Sequence, residues 1–112
     1  MEKEKFEKTV VFEITIGLFD QKSHKQEIST PDALKAVTNY VISYCGGGTI
    51  TTGNGVYTHD DGSIVVEPSI IVKIVGAKFE DIGKFVSDVK IFLNQESVLV
   101  EMNEKLTCFV EW

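Results

Sequence analysis

The chain has 112 residues, 43% of them apolar and 25% charged, which describes one small core and excludes a second domain or a deep private active site. Seventeen acidic against eleven basic residues leave a net charge of −6, a poor balance for long nucleic acid, whose binding depends on neutralising many phosphates. All eleven basic residues are lysine, so any phosphate has to be held by lysine, hydroxyl or backbone N–H groups instead of a bidentate guanidinium.

Glu and Lys dominate residues 1–8, a charged extension, and residues 9–112 read as a single domain without repeat, linker or low-complexity tract. Over 9–19, Phe12, Ile14, Ile16 and Leu18 alternate with Glu13, Thr15 and Gly17, the period-two pattern of a strand with one face on the core. A polar loop then leads to Ser29-Thr30-Pro31-Asp32, a hydroxyl N-cap with proline and an acid in the first turn. The helix that follows carries Leu34, Val37, Val41 and Cys45 on one stripe and stops at Gly46-Gly47-Gly48. A threonine-rich second strand spans 49–59, where Gly53-Asn54-Gly55 predicts a bulge or a close approach of another backbone. Asp60-Asp61-Gly62 turns the chain into a third strand over 63–75, broken at Pro68. A second helix over 79–93 buries Ile82, Phe85, Val89 and Leu93, and Asn94 caps its end. A fourth strand over 97–102 follows, and Asn103-Glu104-Lys105 predicts a turn into a short fifth at 106–110.

The order β-α-β-β-α-β is the α+β, ferredoxin-like split βαβ arrangement, an antiparallel sheet with two helices on one face plus an extra C-terminal strand. Runs such as Ile64-Val65-Val66, Ile70-Ile71-Val72 and Val98-Leu99-Val100 place apolar side chains on both sheet faces. A symmetric partner is the simplest cover, so a homo-oligomer of at least two copies is expected. No apolar run approaches the roughly 18 residues of a membrane span, and no signal peptide is read, so neither insertion nor secretion is expected. Cys45 and Cys108 read as reduced thiols of a cytosolic protein.

Among candidate chemistries, His24, His59, Cys45 and Cys108 lack the paired spacings of zinc ligands, and neither metal nor cofactor is expected. Cys45 or Ser97 with His59 lies in no nucleophile motif, and the carboxylates read as solvated faces, so the expectation is a protein that is not an enzyme. The run 46–55 combines five glycines with hydroxyls including Thr49 and Thr51, a surface able to hold an anion or merely a helix stop entering a strand. Lys73, alone in an apolar run, reaches the rim, protects an edge or faces a ligand. Asn94, Gln95, Glu96 and Ser97 offer amide, carboxylate and hydroxyl groups at one corner, suited to a base edge and ribose or simply to a cap and turn. Tyr57, Phe92 and Trp112 are available to stack on a base, whereas Phe85 belongs to the core stripe.

Gly17-Leu18-Phe19-Asp20, the run from Lys25 to Thr30, the run from Gly55 to Gly62 and Leu93-Asn94-Gln95-Glu96-Ser97-Val98 together resemble the Thoeris anti-defence sponge family of phages and prophages. The resemblance spans most of the chain from Thr9 to Val100. It implies a phage anti-defence protein in the bacterial host cytoplasm that sequesters glycocyclic ADP-ribose, or cyclic di- or trinucleotides, between protomers of a dimer or hexamer without cleaving them. Asn94 carries over as a ligand contact. Arginines of the family near the phosphates have no counterpart here, which leaves Lys84, Lys90 or Lys105 as substitutes. A protein-binding module and a small oligomeric enzyme are the alternative readings.

Overall fold

A computed structural model describes residues 2–111, and in it each apolar pattern closes onto one core. The elements are β1 (Glu7–Gly17), α1 (Thr30–Cys45), β2 (Thr49–Thr58), β3 (Ile64–Val75), α2 (Phe79–Phe92) and β4 (Leu99–Thr107), after a 3-10 turn at Lys3–Lys5. The strands form one antiparallel sheet in the order β2-β3-β1-β4. Phe12, Ile14 and Ile16 of β1 and Ile70, Val72 and Ile74 of β3 share the covered face, packed against Ala33, Val37 and Val41 of α1 and Ile82, Phe85 and Val89 of α2. This is the ferredoxin-like α+β arrangement.

The helix signals act as expected. Ser29 accepts a hydrogen bond from Asp32 N–H at 3.3 Å, Pro31 lies in the first turn, and Gly46 ends α1 in the left-handed region at φ 78°. Gly62 takes φ 86° in the hairpin turn, and Asp61 accepts from Ser63 N–H and Oγ–H at 2.9 and 2.6 Å, which lowers the Asp61 carboxyl pKa.

Three expectations change. No bulge forms at Gly53-Asn54-Gly55: the β2–β3 register runs unbroken from Thr49↔Lys73 to Thr58↔Ile64, with Gly53 opposite Ser69 and Gly55 opposite Glu67. Pro68 does not break β3, because its carbonyl points to the β1 side and accepts Leu18 N–H at 3.0 Å, so the missing proline N–H lies on that side too and the β2 ladder is untouched. Asn103-Glu104-Lys105 is not a turn, and no fifth strand exists among the described residues: β4 continues through it, paired from Thr15↔Leu99 to Glu7↔Thr107. The long β1 edge offers these residues a ladder hydrogen bond at every second position, which outweighs their local turn preference.

The β2–β3 hairpin projects past the helices, giving extents of 53 × 30 × 25 Å. On this arm Val56, Ile64 and Val66 are 67%, 72% and 52% exposed.

Phe85 is fully buried between sheet and helices. Phe85→Ala is expected to cost about 3–5 kcal/mol, read as a lower urea midpoint at unchanged slope.

Candidate functional site

Cross-strand pairing fixes what the uncovered sheet face presents. Thr15 and Gly17 of β1, Val65 and Glu67 of β3, Tyr57 of β2 and Leu99 of β4 all fall on it, opposite the core residues. At the end of the sheet where the arm leaves the body, these residues line a cleft of about 410 Å³, within the range of small-ligand sites. Its rim comes from the loop after β1, through Phe19, Asp20, Gln21 and His24, and from the corner before β4, through Gln95, Glu96 and Ser97.

A hydrogen-bond network welds these parts. Both backbone polar groups of Phe19 are held: its N–H donates to Glu67 Oε2 at 2.8 Å, and its carbonyl accepts from Gln95 Nε2 at 2.7 Å. Gln95 is buried and also donates to the Leu93 carbonyl at 3.3 Å. One residue on, Asp20 Oδ1 accepts the N–H groups of Lys22 and Ser23 at 2.8 and 3.0 Å, while Oδ2 accepts from Asn94 Nδ2 at 2.8 Å. Gln21 closes the clamp, donating from its side chain to Asn94 Oδ1 and from its backbone to the Asn94 carbonyl, both at 2.9 Å. The Asn94 hydrogen bond, with those of Ser23 and Lys22, holds the Asp20 carboxyl below the usual aspartate range.

The residues singled out from the sequence separate into groups. Tyr57, Gln95 and Ser97 meet in the cleft, as does His59, whose ring lies edge-on to Tyr57 at 6.0 Å. Asn94 stands behind the rim at φ 48°, its side chain committed to Asp20 and Gln21. Phe92 packs edge-on against Tyr40 at 6.3 Å on the helix layer, and Trp112 lies outside the described residues. Thr49 and Thr51 lie at the other end of β2, paired with Lys73 and Ile71. Lys84 and Lys90 are exposed on α2, behind the sheet, and Lys105 faces Thr9 on β4. No lysine is among the described residues that line the cleft. Cys45 is at the end of α1, where burial, with a smaller contribution from Asp81, pushes its thiol pKa up. Glu96, read from the sequence as part of the polar corner, also lines the cleft, whereas Asp20 and Glu67 carry no site expectation from the sequence; an acid at 67 inside an apolar β-run is the signal that could have found the central one.

No protein-family model and no curated protein matches the chain. Solved structures do. A phage SAM lyase in complex with S-methyl-5′-thioadenosine aligns with TM-score 0.64 at 23% identity, over 86% of this chain and 81% of that one. CPII, a nitrogen regulatory PII-like protein from Thiomonas intermedia K12 bound to ADP, AMP and bicarbonate, aligns with TM-score 0.55 at 16% identity, over 96% and 100%. CutA from Synechococcus elongatus PCC7942 aligns with TM-score 0.56 at 8% identity, over 88% and 78%. At these identities the likeness is one of fold. It overturns the expectation that the protein is not an enzyme: the absence of a familiar motif carries no weight when a lyase uses the same fold at similar length. The first of these also shares a phage origin with the sequence resemblance, whereas a Thoeris sponge has no counterpart among the three.

Asn94→Gly keeps the left-handed backbone and removes the side chain, so it should leave the fold intact while amide exchange at Lys22 and Ser23 accelerates. Because the folded Asp20 pKa is lowered, its contribution to the loop is complete above the ordinary aspartate pKa and lost as pH falls through the folded value. In Asn94→Gly, that acid loss of protection, followed by NMR, should move to higher pH.

Proposed function

We propose that the cleft binds a positively charged adenosyl ligand and that the protein is a lyase acting on S-adenosylmethionine (SAM), releasing S-methyl-5′-thioadenosine. The observation that carries this reading is the charge of the lining: Asp20, Glu67 and Glu96, with no lysine among the described residues there. A carboxylate about 6 Å from a unit charge contributes about 3 kcal/mol, of either sign, at an effective dielectric near 20. Phosphates of ADP or of a cyclic nucleotide meet that repulsion. SAM carries a sulfonium and an ammonium against a single carboxylate and meets attraction. The likeness to the SAM lyase supports the same choice.

Tyr57, 45% exposed, offers a ring face for adenine, and Ser97 and Glu96 offer partners for ribose hydroxyls. In the release of S-methyl-5′-thioadenosine, the bond between sulfur and the aminoacyl carbon breaks and sulfur keeps the electron pair, so its positive charge disappears. The aminoacyl fragment either closes a ring through its own carboxylate oxygen or loses a proton to a base. A carboxylate against sulfur would hold the ground state more strongly than the transition state. Glu67 is better used on the ammonium, whose charge persists, or as the base.

The exposed Val56, Ile64 and Val66 lie on the arm's other face, whereas the cleft itself is open to solvent, and Tyr57 and Leu99 are exposed in it. A second copy of the chain packed over this region covers them and excludes water from the reaction. The setting remains phage anti-defence, with consumption of a host metabolite in place of capture of a nucleotide signal.

Incubation with SAM should yield S-methyl-5′-thioadenosine in proportion to protein and time, measured by chromatography. Glu67→Gln should lower kcat by about 100-fold or more, and Tyr57→Ala should act mainly on KM. Recovery of unchanged SAM from wild-type protein would sink the lyase reading.

A further inference from the structure

Resting on that reading of Glu67, we propose that Gly17 is a positioning residue that sets where the Glu67 carboxylate lies. The backbone does not require glycine at 17, since its φ is outside the positive values found at Gly46, Gly62 and Gly76. What excludes a side chain is the carboxylate itself. A Cβ at position 17 would stand 2.7 Å from Glu67 Cδ and 2.8 Å from Oε1, and closer still to Oε2. Real Cβ atoms do not approach other atoms so closely, and the only group that can yield is the end of the Glu67 side chain.

The register explains the contact. Gly17 pairs with Ser69, and Glu67 lies two residues along the same face of β3, on the diagonal. The bare β1 backbone lets the carboxylate lie across the strand and reach the Phe19 N–H. With a methyl group there, Oε2 is driven off that donor and the carboxylate turns into the cleft or toward solvent. Gly55, directly opposite Glu67 on β2, is the internal control: a Cβ there meets only Ser69 Oγ at 3.4 Å and the Glu67 carbonyl at 3.7 Å, ordinary contacts.

The test compares Gly17→Ala, Gly55→Ala and Gly17→Ala/Glu67→Asp, the last withdrawing the carboxylate by one methylene. Two readouts are used. The first needs no substrate: the Phe19 amide resonance and its hydrogen-exchange rate report the bond to Glu67. Gly17→Ala should move that resonance and speed its exchange about tenfold. Gly55→Ala should do neither. The second readout is SAM turnover, where Gly17→Ala should lower kcat about tenfold or more with KM nearly constant, and the double variant should recover part of the loss. An unchanged Phe19 amide in Gly17→Ala, or equal effects in Gly55→Ala, would overturn the proposal. If the amide responds but no variant, wild type included, turns over SAM, positioning stands and the lyase reading falls.

Discussion

The hydrogen bond from the Phe19 N–H to Glu67 joins what the chain separates by 48 residues. It is charge-assisted and half-buried, a class that contributes about 1.5–3 kcal/mol, and it ties the root of the hairpin arm to the end of β1. Gln95 holds the carbonyl of the same residue, so the corner before β4 is referenced to the same point. The Asp20–Asn94–Gln21 clamp extends this outward and fixes the loop that forms the rim. The three walls of the cleft are therefore tied to one another, with Glu67 at their junction.

This arrangement depends on the sheet having a side that the helices do not use. Two short helices cover one face of four strands, and the other face is left to Thr, Gly, Glu, Ser and Tyr where the arm departs. Such a surface cannot bury a ligand alone. It can fix charge and hydrogen-bond direction. A fold neighbour bound to ADP, AMP and bicarbonate has the same scaffold, so the fold does not choose a ligand, and the proposed choice rests on the side chains of the cleft. Here those side chains are acids.

Much of the fold was legible because its causes are local. The alternation of Phe12, Ile14 and Ile16, the Ser29-Pro31-Asp32 start and the Asp61-Gly62 turn each act within a few residues, and each forms where the pattern places it. The errors come from long-range pairing. Asn103-Glu104-Lys105 looks like a turn until the length of β1 is known, and Gly53-Asn54-Gly55 looks like a bulge until its partners are. Of the residues that line the cleft, Tyr57, Gln95 and Ser97 are legible from residue type, but Glu67 and Gly17 gain meaning only through contacts across strands. Asn94 was noticed as a ligand contact, whereas its amide is spent on holding the rim.

On the proposed function, the acidic cleft selects an adenosyl ligand by positive charge. Calorimetric titration with sinefungin, an amine-bearing analogue of SAM that has no sulfonium leaving group, against ADP tests it most directly. Sinefungin should bind at least about tenfold more tightly, a difference of about 1.4 kcal/mol, and Glu67→Gln should narrow the gap. Tighter binding of ADP, or a preference indifferent to Glu67, would contradict it.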